Sequence, residues 1–131
     1  MIDEGLRLFL LSRPGVVEAV GQRVYPAPLP QGATLPAVTY SDVGDVGSMS
    51  NDGPDCLQRA RYQLTHWAAT REAARRVEAA TRTVMSGFRG QWPGGLRIGG
   101  VFRRNGWTLY EPETRLHQAI TDYQINAWGQ E

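Results

Sequence analysis

Apolar positions along the chain change period several times, and each change predicts an element. Ile2, Leu6, Phe9 and Leu10 recur at helical spacing, with Asp3 and Glu4 suited to the positive end of a helix, so Ile2–Leu11 is expected to be a short helix. Arg13-Pro14-Gly15 stops it, and Val16–Val20 reads as a further helical turn closed by Gly21. From Tyr25 to Pro36 the prolines at 26, 28, 30 and 36 remove donors and fix φ, which predicts an extended arm. Val38, Tyr40 and Val43 then alternate with polar residues, a first strand over 37–43. Gln58–Ala68 alternates more strictly, with Arg59, Arg61, Gln63 and Thr65 on one face and Ala60, Tyr62, Leu64 and His66 on the other. Thr70–Phe88 is the strongest helix, capped by Thr70, its stripe made by Ala73, Ala74, Val77, Ala80, Val84, Met85 and Phe88.

The remaining elements are strands. Leu96–Arg104 is weakened by Gly99-Gly100, where a bulge or bend is expected, and Asn105-Gly106 reads as a tight turn. Leu116–Trp128 is a long last strand in which Ala119, Tyr123, Ile125 and Ala127 share a face, interrupted by Thr121. The order α-β-β-α-β-β predicts an α+β fold: a mixed or antiparallel sheet of about four strands, the long helix on one face and a short helix at the start. With 131 residues, no internal repeat and no linker, the chain is expected to be one domain, 1–131.

Composition narrows what such a domain does. Fourteen basic and 13 acidic residues leave a net charge of +1, whereas affinity for free nucleic acid usually comes from a larger basic excess. Every basic residue is arginine. Cys56 is the lone cysteine, which excludes an internal disulfide and a four-cysteine zinc site. Met1–Ser12 lacks a basic leader region and a small-residue cleavage site, and no apolar run approaches the roughly 20 residues of a membrane span. A protein made and kept in a cytoplasm is the expectation, with no membrane partner.

Candidate chemistry is thin. His66 and His117 each fall inside a strand with no metal-spaced partners, and Cys56 lacks a flanking motif. Gly94-Gly95 and Gly99-Gly100 precede strand-like sequence rather than a helix, so no phosphate loop is built, and no cofactor is expected. Glu111, Glu113 and Asp122 offer an acid–base pairing without a visible cleft. Arginines interleave with aromatics at Arg59, Arg61 and Tyr62 and at Arg103, Arg104 and Trp107, a pattern that stacks on bases if exposed. Trp67, Trp92, Trp107 and Trp128 lie largely at element ends or in loops, and tryptophan with arginine is enriched at binding hot spots. The segment 41–56 is rich in Gly, Ser, Asn and Asp and carries one sign of charge through Asp42, Asp45, Asp52 and Asp55. These features describe an interaction protein.

Arg23-Val24-Tyr25-Pro26, followed by Leu29-Pro30-Gln31-Gly32-Ala33-Thr34-Leu35-Pro36-Ala37-Val38-Thr39-Tyr40, resembles the N-terminal signature of the phage tail completion (terminator) proteins. The helical start, the strand ending in Trp67, the following helix and Tyr110-Glu111-Pro112-Glu113 before the last strand are similar too. The resemblance covers nearly the whole chain, and its motifs are structural. It implies a non-enzymatic virion protein at the head–tail neck, assembled in the host bacterial cytoplasm. Such subunits form a hexameric ring on the last ring of tail tube protein, stop tube growth and present a surface to the head connector, while genomic DNA passes through the hole. A closed ring needs heterologous contacts. We assign a subunit or partner interface to Tyr25, Pro26, Leu29, Pro30 and Leu35 of the arm, to Met49, and to Trp92 and Trp107; Asp42, Asp45, Asp52 and Asp55 face either an interface or the lumen, where like charge would repel DNA. A connector or minor tail protein of similar fold, a small nucleic-acid-binding module and, weakest, a small enzyme are the competing readings.

Overall fold

The computed structural model describes residues 2–45 and 57–128. Nine elements follow one another: α1 (Ile2–Leu11), α2 (Pro14–Val20), β1 (Val24–Pro26), β2 (Ala37–Asp45), β3 (Leu57–Ala68), α3 (Arg71–Met85), β4 (Gly90–Gln91), β5 (Arg97–Glu111) and β6 (Leu116–Trp128). The six strands form one mixed sheet in the order β1-β2-β3-β6-β5-β4. β1 runs parallel to β2, and every other pairing is antiparallel. The α+β expectation holds; the strand count does not, because β1 and β4 were too short to leave a periodic signal.

The helices cover one face. Leu6, Phe9 and Leu10 of α1, Val16 and Val20 of α2, and Val77 and Met85 of α3 pack on Val38, Tyr40, Tyr62, Leu64, Val101, Tyr123 and Ile125 from the sheet. Each buried, close-packed aliphatic or aromatic side chain in such a layer contributes about 1.5–3 kcal/mol. α3 begins where expected: the Thr70 hydroxyl accepts the Ala73 N–H at 3.1 Å. Its seam is Ala74, Val77, Thr81 and Met85, with Ala73, Ala80 and Val84 half-buried beside it. Thr81 is tolerated in that seam because its hydroxyl donates back to the Val77 carbonyl at 3.2 Å.

β5 corrects the sequence reading most. Asn105-Gly106 is no turn: Gly106 pairs with Thr121 inside a continuous strand, and the chain reverses instead at Pro112–Arg115, with Arg115 at a positive φ of 60°. The register shifts twice along β5, between Ile98 and Gly100 and between Arg103 and Asn105. Such bulges bend the strand and increase its twist. The first is where the glycine pair predicted one. Gly99 is required there, since a Cβ would lie 2.7 Å from the Trp128 ring.

β6 is central and buried on both faces from Ala119 to Ile125. On its outer face Asp122 meets Arg61 at 3.2 Å and Gln124 accepts from Arg104. Long polar side chains of β3 and β5 thus cover what the helices do not.

Candidate interaction surfaces

The proline arm is half folded onto the sheet. Tyr25 and Pro26 belong to β1; Ala27 donates to the Tyr40 carbonyl at 2.9 Å, and the Arg23 guanidinium donates to the Pro36 carbonyl at 2.8 Å. Between these ties the arm loops out, with cis peptides before Pro28 and Pro36. Leu29 and Leu35 are half-buried and Pro26 and Pro30 exposed. A groove of about 700 Å³ opens between this arm and the outer face of the sheet. Thr39, Gln63, Thr65 and Trp67 line it, and Glu111 and Leu116 of the β5–β6 hairpin contribute as well. The Trp67 indole N–H donates to the Thr39 hydroxyl at 3.0 Å, which fixes the ring.

Of the tryptophans assigned to an interface, one is misplaced by the sequence reading. Trp92 is 1% exposed, and its ring stacks on Phe9 at 5.2 Å and 20°. The Gly- and Pro-rich context marks a loop, but the loop folds inward to complete the core. Trp107 is 37% exposed on β5. Asp42 is exposed, its carboxylate accepting the Gly44 N–H at 2.9 Å. Asp45 ends β2. Met49, Asp52 and Asp55 lie outside the described residues.

Two surfaces were read only in part, through Trp107 and Arg103. The first is the β5–β6 hairpin, where Phe102, Trp107, Leu109 and Tyr110 are all substantially exposed. The alternation of Trp107 and Leu109 with Thr108 and Tyr110 was the available signal, masked by the apparent turn. The second is a cleft of about 280 Å³ between α3 and this hairpin, lined by Arg71, Arg75, Arg82 and Arg103 around Glu78. Glu78 lies 3.5 Å from Arg82 and 4.0 Å from Arg103 and accepts from the Thr121 hydroxyl, so one carboxylate meets two guanidinium groups in a cleft that two more arginines line.

Among the described residues the chemical candidates do not assemble, and Cys56 lies outside those residues. His66 is fully buried, with Nδ1 2.8 Å from the Ala119 carbonyl; burial pushes its pKa down from 6.5 to about 4, against smaller opposing effects of that carbonyl and Glu78. His117 packs on the Tyr110 ring at 4.7 Å. Asp122 pairs with Arg61, while Glu111 accepts from Thr114 at 2.8 Å, so the carboxylates go to separate partners. Tyr62 is buried, its hydroxyl donating to Asp3, and offers no face for a base to stack on. Among the described residues no cluster of three or more His, Cys, Asp or Glu suits a metal, and no helix is long and apolar enough to cross a membrane.

A chain in the virion of a native gene transfer agent particle superposes with a TM-score of 0.68 at 16% identity, covering 98% of this chain and 92% of that one. At that identity the likeness is one of fold. No curated protein matches in sequence. The family described as tail completion protein gp17 matches residues 4–126, nearly every element described above, and the chain belongs to that family.

Proposed function

We propose that this chain is a structural, non-enzymatic virion protein that caps the tail tube as a hexameric ring. The ring ends tube polymerisation and joins the tail to the head connector, with genomic DNA passing through it without sequence-specific contact. The protein works at the top of the tail after assembly in the host bacterial cytoplasm, and requires no cofactor and no membrane. The family match over residues 4–126 is the observation that carries this reading. The exposed apolar side chains of β5 and the arm groove support it, since a monomer with no partner has little use for either.

Light scattering across concentration, with negative-stain imaging of the same sample, tests the reading. Rings, free or seated on added tube ends, support it; a monomer that ignores tubes but binds DNA sinks it. Asparagine at Asp42, Asp45, Asp52 and Asp55 separates their two roles: lost rings place them at an interface, and intact rings with impaired DNA passage place them in the lumen.

A nucleic-acid-binding module is the second reading, favoured by the four arginines that line the cleft beside Glu78. It predicts binding to free DNA that weakens steeply with salt.

A further inference from the structure

Among the described residues the sheet has two unlike open edges. β4 pairs with β5 only at Arg97 and Ile98, and Gly87 caps the Val101 carbonyl. From Phe102 to Glu111, about 30 Å of strand at ~3.4 Å per residue, no described strand lies on that side of β5. At the other end, β1 pairs with β2 only from Val38 to Tyr40, which leaves the outer side of Ser41–Asp45 without a described partner strand. β1 itself cannot extend the sheet. Its Val24 N–H donates to Gln22 at 2.9 Å, its Val24 carbonyl accepts from Arg7 at 3.1 Å, and Pro26 has no N–H. Exposed edges of this kind are templates for association unless they are covered.

The two edges are matched in height and in chemistry. Pairing runs Asp42–Tyr62–Tyr123–Arg103 across the sheet, so one cross-strand row ends in an acid at one edge and a base at the other. A second row, Tyr25–Thr39–Thr65–Ile120–Trp107, ends in an aromatic at each edge. Strands alternate in direction from β2 through β3 and β6 to β5, so β5 and β2 run antiparallel. A second copy added at the same height meets β5 with its β2 in the antiparallel sense, Asp42 coming to Arg103 and Tyr25 to Trp107. Asp42 is exposed, and Arg103 keeps 38% of its side chain exposed beside Glu78.

We propose that the partner of the β5 edge is a second copy of this chain, joined head to tail through the β2 end of its sheet. The contact is heterologous, so it propagates, and a constant rotation per copy closes it into a ring. Side chains carry much of it, because bulges at Val43 and Arg104 interrupt regular pairing there. The bulge at Arg104 also lies where β5 must turn aside to pass the neighbour's β1. This inference rests on the ring reading given above.

Cysteine placement tests it. In a Cys56→Ser background, Asp42→Cys and Arg103→Cys sit at opposite edges of one sheet, about 14 Å apart over three strand spacings of ~4.8 Å. A bismaleimide too short to span that gap links only cysteines of different copies. Under conditions where the parent forms rings, each single variant alone is expected to give no dimer. Their mixture should give heterodimers, and the double variant a ladder of linked copies. Circular dichroism melts confirm that each variant folds. An unlinked mixture in the presence of visible rings overturns this contact and leaves the ring reading standing. Dimers from Arg103→Cys alone reveal a symmetric β5–β5 contact and likewise overturn it. A parent that forms no ring, even on tube ends, removes both.

Discussion

Trp92 stands between Gln91 and Pro93, close to two further glycines, yet its ring is sealed against Phe9 beneath α1, where Gly5 leaves room for it. Trp92→Ala is therefore expected to cost about 3–5 kcal/mol, read as a shift of the urea midpoint. Trp107→Ala should stay within about 0.5 kcal/mol of the parent while weakening association of copies. His66 makes a separate prediction. Its folded pKa, near 4, lies below the unfolded value of 6.5, so the unfolded chain takes up a proton first as pH falls. The stability contributed by neutral His66 is complete above about pH 6.5 and is lost as pH drops towards 4. Melting temperatures of the parent and His66→Gln across that window check this: the variant should show the shallower decline, and parallel curves would show that the buried imidazole is not the source. The buried, structural character of His66 was legible from its place on the apolar face of β3. The burial of Trp92 was not, because local composition marks a loop but does not say which way the loop folds.

At the scale of elements, legibility followed period and length. α3 repeats an apolar position every three or four residues, and β3 alternates over its whole length, so both were read within a few residues of their ends. The cap at Thr70 was read correctly too, and Thr70→Ala should destabilise the protein by about 1 kcal/mol in chemical denaturation, since the Ala73 N–H loses its acceptor. β1 and β4, of three and two residues, contain no period to read. β5 fails differently. Asn105-Gly106 has the local chemistry of a hairpin turn, but Asp122 and Thr121 of β6 stand opposite and hold it as strand. Partners far along the chain overrode local propensity, and the resulting open edge, the larger part of the candidate surface, went unseen. The arm was legible because four prolines exclude any central strand or helix; the groove beneath it was not, because its floor comes from β2 and β3.

For the whole molecule, the sheet order has a consequence in time. β6 lies between β3 and β5 and pairs with both along nearly its full length, although it follows both in the chain. During translation β3 and α3 emerge well before the strand that must join them to β5, and neither half of the sheet has a complete core until β6 is inserted. Such long-range pairing slows folding and makes it cooperative. A ribosome-bound nascent chain therefore has no finished sheet edge, and the association of copies proposed above has to wait until β6 has been made and placed.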